Sequence, residues 1–225
     1  AEIIGNLTAV LTTIKGLASG YGRDLQQIKS PIWSTSKISI NALLILKSML
    51  LTLKVNEKQM KKVIAFAGSN SSTSINMHLV RYTSSLVKAA DVEVMDLREY
   101  DAPIYSADIE KVGIPEPIQA LVKKLATADA YIIASPEHNG TMTAFLKNII
   151  DWASRVEAKF LGGKPVFLMS TSRGKRGAAS SLEDLNDKMK YFDGDVKSKF
   201  SLGAFGETFD TTTGKITNET ENKRL

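Results

Sequence analysis

A strand, a loop and the start of a helix follow one another in residues 63–76, whose sequence is VIAFAGSNSSTSIN. The first five residues are apolar and mostly β-prone, which is typical of a strand buried on both faces of a sheet. Gly68 ends this run, and the hydroxyl-rich stretch from Ser69 to Ser74 offers a cap for the helix that follows. A buried strand that leads through a short loop into a helix is the first half of a βαβ unit.

The same alternation continues through the rest of the chain. Short apolar runs bounded by turn residues recur, and helical patterns lie between or after them. This order predicts right-handed βαβ units on a parallel sheet, and therefore an α/β fold. The predicted strands are 63–67, 92–95, 131–134, 165–169 and, near the end, 199–202. The predicted helices are 75–89, 115–127, 142–156 and 178–191.

Residues 1–59 differ from the rest, because they show helical period and no strand alternation. Apolar residues first recur at steps of three and four, which indicates one amphipathic helix. Three glycines and Pro31 then break the pattern, and residues 34–36 (STS) offer caps for a second helix near 37–56. We therefore expect an α-helical hairpin followed by a separate domain at 60–225.

Composition excludes several classes of site. The chain has no cysteine and two histidines, so a disulfide framework, a thiolate metal site and a cysteine nucleophile are excluded, and no metal site is expected. Residues 1–61 contain eight Lys or Arg and three Asp or Glu, hence +5, while the remaining 21 charges of each sign cancel. This basic excess is spread along helical sequence, so we expect no nucleic-acid binding.

The sequence also bears on the cellular setting. The most apolar stretch, 38–55, is interrupted by Asn41 and Lys47 and is short for a membrane span, so we expect no membrane partner. The first residues show no targeting pattern. Together with the absence of cysteine, these features predict a cytoplasmic protein.

Three loops at the carboxyl ends of predicted strands are candidate binding sites, since open parallel sheets bind ligands there. The first loop, 68–76, places hydroxyls and free amides at a helix N-terminus, which suits a phosphate monoester. It lacks the Lys-Ser/Thr pair of a Walker loop and the glycines of a dinucleotide fingerprint. A serine-rich helix cap that binds no ligand is the alternative interpretation.

The second loop, 135–141, has the sequence SPEHNGT, and its proline and glycine indicate an exposed turn whose amides, with Asn139, are suited to line a flat heterocycle. His138 is a candidate general base, but an exposed loop residue is the favoured interpretation, because the sequence assigns it no carboxylate partner. The third loop, 170–177 (STSRGKRG), belongs to the same site or is a basic, glycine-loosened surface turn.

Four stretches form a specific combination: GSNSSTSIN at 68–76, LREYDAPIY at 97–105, PEHNG at 136–140 and LKNIIDW at 146–152. On these residues the chain from about 60 to 225 resembles the NAD(P)H-dependent FMN reductase family, which includes chromate, quinone and azo-dye reductases. The resemblance implies a flavodoxin-like fold, with a doubly wound parallel five-stranded sheet of strand order 2-1-3-4-5. It also implies non-covalently bound FMN, with NAD(P)H as cosubstrate.

The same resemblance implies which residues bind the cofactor. The first loop holds the FMN phosphate, the second lines the isoalloxazine ring, and the third closes the other edge of the ring. The chain has Ser71 where the family often has arginine, His138 where it has tyrosine, and Thr143-Ala144 where it has proline–glycine. No catalytic side chain is implied, because hydride transfer takes place on the flavin. The implied cofactor-binding residues are Ser69, Ser71, Ser74, Ile75, Asn76, Pro136, Glu137, His138, Asn139, Gly140, Thr171, Ser172, Arg173 and Gly174.

Residues 1–59 are similar to something else, a central helical segment of argininosuccinate lyase. The match runs through 5–17 and 21–29. The catalytic serine loop of that family and its other sequence blocks are missing, so the likeness implies helical structure and no activity. The join falls at 57–62 (EKQMKK) and favours a fusion, natural or engineered.

The expected function is an FMN-dependent oxidoreductase that takes hydride from NAD(P)H and reduces a quinone, flavin, azo compound or metal oxyanion. A non-enzymatic electron carrier or FMN-binding interaction module is the alternative, although carriers usually present an acidic face and residues 62–225 have no net charge. A chimera with an inactive flavin domain is the third possibility. Besides the small-molecule acceptor, the expected partners are copies of the chain in a homodimer or homotetramer, because the helical hairpin carries many leucines.

Overall fold

The computed structural model describes residues 1–15, 29–52 and 60–225. The chain forms two compact units, Ala1–Gln59 and Met60–Leu225. The boundary falls within the stretch 57–62, where the helical pattern ends and the alternation of strands and helices begins. None of the helices in the described ranges is long and apolar enough to cross a membrane.

In its described residues, 1–15 and 29–52, the first unit contains the helices α1 (Glu2–Lys15) and α2 (Lys29–Thr52). The second helix begins well before the predicted residue 37, so the predicted caps at 34–36 lie inside it. The reason is that Pro31 lies in the first turn, where its missing N–H costs no hydrogen bond and its fixed φ suits a helix. Ser34 Oγ donates a hydrogen bond to Glu2 Oε1 at 3.0 Å, which joins the two helices. The predicted glycine break and the predicted end of the second helix lie outside the described residues.

The second unit is built on one sheet of five strands, β1 (Lys61–Ala67), β2 (Ala90–Val94), β3 (Ala130–Ala134), β4 (Lys164–Thr171) and β5 (Gly194–Leu202). All neighbouring pairs are parallel. The order is β2-β1-β3-β4-β5, which confirms the predicted flavodoxin-like order. After β2 the chain crosses back over β1 to add β3, so the strand order reverses between β1 and β3.

Helices connect these strands, and two short hairpins lie in the loops. The four predicted helices are present, with ends that differ from the prediction by only a few residues. In chain order the helices are α3 (Ile75–Leu86), α4 (Ala107–Val112), α5 (Glu116–Ala126), α6 (Ala144–Val156), α7 (Ala179–Met189), α8 (Phe205–Thr208) and α9 (Glu219–Arg224). Two 3₁₀ turns span Leu97–Tyr100 and Lys190–Phe192. The hairpins pair Glu137–His138 with Thr141–Met142 and Phe209–Asp210 with Lys215–Ile216.

The core lies on both faces of the sheet. Along β1, Ile64 and Phe66 belong to the apolar cluster that includes residues of α5, α6 and α7. Val63, Ala65 and Ala67 belong to the cluster that includes residues of α3. Successive side chains of a strand point to opposite faces, so a strand covered on both sides is apolar throughout.

The fifth strand is longer than predicted, since it begins at Gly194 and not near 199. Its first part, GDVKSK, carries charged residues that are exposed on the edge strand of the sheet. Charged side chains are common on edge strands, where they hinder pairing with another chain. Only the apolar end of this strand was therefore predictable from the sequence.

Candidate functional site

The loops that follow β1, β3 and β4 meet at the carboxyl ends of these strands, because the strands are parallel neighbours. Backbone hydrogen bonds extend the pairing into the loops. Gly68 N donates to Ala134 O at 2.9 Å, and Ser135 N donates to Met169 O at 2.8 Å. The structure thus brings together the three loops that the sequence singled out, next to the point where the strand order reverses.

The loop after β1 is a series of serine-capped turns. Ser71 N donates to Ser69 Oγ at 3.2 Å, and Thr73 N donates to Ser71 Oγ at 3.3 Å. Ser74 is the N-cap of α3, and its Oγ accepts a hydrogen bond from Met77 N at 3.3 Å. The hydroxyl-rich stretch therefore does cap the helix, and this role leaves room for a ligand at the same end.

The first turn of α3 provides both free donors and a structural tie. Within residues 60–225, the backbone amides of Ile75 and Asn76 donate no hydrogen bond. With the serine hydroxyls they form a neutral donor set that fits a phosphate monoester. The Asn76 side chain is only 3% exposed and binds the backbone of Thr171: Nδ2 donates to Thr171 O at 3.1 Å, and Oδ1 accepts from Thr171 N at 3.0 Å. Asn76 thus ties α3 to the end of β4 and leaves its own amide for a ligand.

The loop after β3 is a two-residue hairpin, in which Glu137–His138 pairs with Thr141–Met142. The two central residues, Asn139 and Gly140, have φ of 52° and 81°. Positive φ at both positions is typical of a type I′ turn, for which Asn-Gly is a preferred sequence. His138 is exposed, and it forms no hydrogen bond or ion pair with a carboxylate in the described part of the chain. This favours the exposed-loop interpretation of His138.

Glu137 is held by the start of α7. Its Oε2 accepts a hydrogen bond from Ser181 N at 3.1 Å. The N-cap of this helix, Ala178, has no side chain that could do so. Ser181 Oγ donates to Pro136 O at 2.8 Å and shares a 2.6 Å hydrogen bond with Ser135 Oγ. The glutamate therefore caps a helix N-terminus, where a negative charge is favourable, and this fixes the base of the hairpin.

The loop after β4 turns sharply through residues 172–174. Ser172 Oγ donates to Gly174 O at 3.2 Å, and Phe205 N donates to Ser172 O at 3.0 Å. Arg173 is exposed and lines a cavity of about 390 Å³ together with Ile75. The third loop and the first turn of α3 therefore border the same open space.

Thr143 ties the first loop to the start of α6, a role that was not predicted from the sequence. Its Oγ1 donates to Gly68 O at 2.6 Å and, as the N-cap of α6, accepts a hydrogen bond from Leu146 N at 3.1 Å. Gly68 leaves no space for a side chain, because an added Cβ would lie 2.5 Å from Leu146 Cδ2. A threonine directly before an apolar helical pattern was the available signal.

Two arginines near the first loop were also missed. Arg81 on α3 and Arg98 after β2 line a small crevice with Ser69 and Ser74. Arg98 Nε lies 3.0 Å from both carboxylate oxygens of Asp96. Hydrogen bonds from Arg98 lower the pKa of Asp96 below its ordinary value, and the charge of Arg81 acts in the same direction. The spacing of Arg81 from Ser74, which places both on one face of a helix, was the available signal.

A second cavity, of about 460 Å³, lies beside the hairpin and is lined by His138, Lys147, Asp184 and Lys188 among others. Burial raises the pKa of Asp184, but hydrogen bonds from Lys188 and Thr141 outweigh it and hold that pKa below its ordinary value. Two lysines and one aspartate line the cavity, whose volume lies within the size range of small-molecule sites. Among the described residues, no group of three His, Asp or Glu is placed to hold a metal ion.

The two units resemble different proteins. Argininosuccinate lyase from Nitrosopumilus maritimus (strain SCM1) is 89% identical over 63 residues, which are 28% of this chain and 13% of the lyase. The chain therefore spans only a small part of that enzyme. This match confirms the lyase-like segment and is consistent with a fusion.

The larger unit is similar to known reductases. Quinone reductase from Escherichia coli (strain K12) is 33% identical over 159 residues, which are 69% of this chain and 84% of that protein. FerB from Paracoccus denitrificans, a flavoenzyme NAD(P)H:(acceptor) oxidoreductase of known structure, has a TM-score of 0.61 at 27% identity, over 73% of this chain and 90% of that one. Residues 61–205 match the NADPH-dependent FMN reductase family. The chain thus belongs to this family and is an FMN-dependent oxidoreductase with a flavodoxin-like fold.

Proposed function

We propose that residues 60–225 take hydride from NAD(P)H and reduce a small-molecule acceptor, a quinone in the first place and a flavin, azo compound or metal oxyanion within the wider class. The observation that carries the proposal is the convergence of three loops at the edge formed by β1, β3 and β4. The similarity to a quinone reductase over most of that protein's length supports quinone as the acceptor.

The first loop would hold the phosphate of FMN. Ser69, Ser71 and Ser74 supply hydroxyls, and Ile75 and Asn76 supply backbone amides at the start of α3. The partial positive charge of the helix N-terminus favours an anion there. These groups bind without a metal ion, since they are donors and carry no negative charge.

The second and third loops would flank the flavin ring, Pro136–Gly140 on one side and Thr171–Gly174 on the other. Hydrogen bonds fix both loops: Ser181 on α7 holds the second loop, and Asn76 on α3 holds the third. Loops that are fixed before the ligand binds position it with little loss of conformational freedom. The neighbouring cavities leave space for a nicotinamide or an acceptor.

Bound FMN would supply the redox chemistry, hydride uptake from the nicotinamide and electron transfer to the acceptor. The protein's task is to bind the flavin, to orient it and to shield it. No side-chain acid or base is assigned, and His138 remains an exposed residue at the rim of the site. The hairpin and the Arg173 loop restrict access to the ring between them.

The helical unit completes the proposal. Residues 1–59 are a lyase-like fragment without an active site. The exposed apolar side chains of α1 and α2 favour a homodimer or homotetramer of the whole chain. The absence of cysteine supports a reducing, cytoplasmic setting.

The test is steady-state oxidation of NADH and NADPH by the FMN-loaded chain with 1,4-benzoquinone as acceptor, against the same concentration of free FMN. We expect turnover well above free FMN and parallel lines in double-reciprocal plots, because NAD(P)+ leaves before the acceptor binds. Turnover no faster than free FMN contradicts the proposal. Flavin reduction by a partner reductase, but not by NAD(P)H, would instead indicate an electron carrier.

A further inference from the structure

A narrow crevice opens beside the first loop, on the side of β2. Its walls come from three elements: the serine loop, one face of α3, and the turn after β2. On α3, Ser74, His78 and Arg81 are four and three residues apart and therefore share one face of the helix. The lining residues are Ser69, Ser71, Ser72, Ser74, Met77, His78, Arg81, Asp96 and Arg98.

The two arginines in this crevice differ in their pairing. Arg98 is bound to the Asp96 carboxylate by its Nε and Nη2, so the charges of these two side chains offset each other. Arg81 forms no ion pair with a carboxylate anywhere in residues 60–225. It is near enough to Asp96 to lower the pKa of that carboxyl, yet it remains exposed. The crevice therefore contains one uncompensated guanidinium.

The loop itself supplies less positive charge than a phosphate monoester carries in negative charge, so a nearby cation would strengthen binding. The monoester carries about −1.5 to −2 at neutral pH, whereas a helix N-terminus provides about +0.5 and serine hydroxyls provide none. A guanidinium binds phosphate through two parallel N–H groups and stays charged at all working pH values. Side chains of a helix lean toward its N-terminus, which directs Arg81 toward Ser74 and the loop.

We infer that Arg81 is a cofactor-binding residue, whose guanidinium neutralises the phosphate of FMN at the serine loop. The inference rests on the proposed placement of that phosphate. Asp96 weakens phosphate binding, because it pairs with Arg98 and places a negative charge in the same crevice. The pair Arg81 and Asp96 thus sets how strongly the site prefers a flavin with a phosphate over one without.

The experiment compares FMN with riboflavin, which has the same ring and no phosphate. Flavin is removed from the full-length protein, and the Kd of each flavin is measured by fluorescence quenching. For Arg81→Met we expect FMN affinity to fall about tenfold or more, with riboflavin affinity unchanged. For Asp96→Asn, which keeps an N-cap side chain, we expect FMN affinity to rise and riboflavin affinity to stay the same.

Two further variants make the result specific. Lys111→Met removes one exposed positive charge on α4, away from the crevice, and should change neither Kd. Arg81→Lys should fall between wild type and Arg81→Met, since it keeps the charge and loses the planar fork. Circular dichroism and thermal melting of each flavin-free variant check that the fold is retained.

The outcomes separate this inference from the proposed function. Equal losses of FMN and riboflavin affinity in Arg81→Met, or no loss at all, overturn the role of Arg81 while the flavin site stands. A wild-type chain that binds neither flavin overturns the proposed function and this role together. A selective loss for FMN, with the opposite effect in Asp96→Asn, supports it.

Discussion

Asn76 and Thr171 exchange two hydrogen bonds across the site, with Asn76 Nδ2 3.1 Å from Thr171 O and Thr171 N 3.0 Å from Asn76 Oδ1. The side-chain amide here pairs with the main-chain N–H and C=O of a single residue, in the way that a residue of a neighbouring strand would. The bond joins the start of α3 to the end of β4. The spacing between the first and third loops is therefore set by one buried asparagine.

Replacing that asparagine should destabilise the domain. Asn76→Ala leaves the buried amide and carbonyl of Thr171 unpaired, and each such group costs about 1–3 kcal/mol. We expect the free energy of unfolding of the flavin-free protein to fall by about 2–4 kcal/mol in urea. Asn70→Ala, an exposed neighbour in the same loop, is the control and should change it by less than about 0.5 kcal/mol. Equal effects of the two variants would show that the paired hydrogen bonds contribute nothing.

Gly68 is expected to tolerate no side chain. In Gly68→Ala the new Cβ would lie 2.5 Å from Leu146 Cδ2 and 2.7 Å from Leu146 Cβ, so β1 and α6 must move apart. Forced overpacking of this kind costs about 1–3 kcal/mol. Gly206→Ala in α8 is the matched control, since an added Cβ there meets nothing within 4 Å, and it should be neutral or slightly stabilising. A thermal melt of both variants decides, and an unchanged Tm for Gly68→Ala would contradict the contact.

Ser74→Asp separates the cap from the binding role of Ser74. Aspartate is as good an N-cap as serine, so the Tm of the flavin-free protein should stay within a few degrees of wild type. Its charge would repel the phosphate at close range, and we expect FMN affinity to fall by more than about tenfold. Ser74→Asn, a neutral cap, should keep most of the affinity. A folded Ser74→Asp protein that binds FMN as wild type does would remove the serine loop from the site.

The fold was predictable where burial determined the sequence. VIAFA at 63–67 is apolar throughout because both of its faces are covered, and that pattern identifies a central strand of a parallel sheet. At the edge of the same sheet, Lys197 and Lys199 are exposed, so the alternation in β5 carried a weaker signal. The predicted start of α2 was too late, because Pro31 was interpreted as a break. Proline does break a helix interior, but it is accepted in the first turn.

The meeting of the three loops was predictable from the sequence, but the hydrogen bonds of their side chains were not. Residue type indicated polar groups at Asn76 and Glu137, but their hydrogen bonds go to Thr171 and to Ser181. Such partners lie far away in the sequence, and only the strand order brings them together. The role of Thr143 as a link to Gly68 depends on the same long-range contact.

Alkaline pH should weaken the domain through Tyr131. Burial raises the pKa of Tyr131 to about 12, above the ordinary value of about 10 for tyrosine. The neutral form is therefore favoured in the folded state, and its contribution is fully present below about pH 10 and lost as the pH rises toward 12. Urea unfolding of Tyr131→Phe should show a flatter loss of stability over this range than wild type does. Tyr191→Phe, at an exposed position, should follow the wild-type curve, and identical curves for all three proteins would contradict the prediction.

The apolar surface of α2 predicts self-association. Leu43, Leu44, Ile45 and Leu46 are 64%, 56%, 61% and 52% exposed, and consecutive residues of a helix point about 100° apart. At this turn of α2 apolar side chains therefore point in all directions, and α1 packs against only part of this surface. Burying one such side chain is worth about 1.5–3 kcal/mol, so several together favour association strongly.

We expect the full-length chain to be oligomeric in light scattering and the double variant Leu44→Gln/Ile45→Gln to have a lower mass at the same concentration. Ile104→Gln/Val112→Gln is the matched control, because those two apolar residues of the second unit are 84% and 91% exposed and lie outside α2. If the control alone dissociates the oligomer, copies of the chain associate through the reductase unit. If neither variant lowers the mass, the exposed leucines of α2 are not an assembly surface, since a contact that buried them would lose a large share of its apolar area to the glutamines.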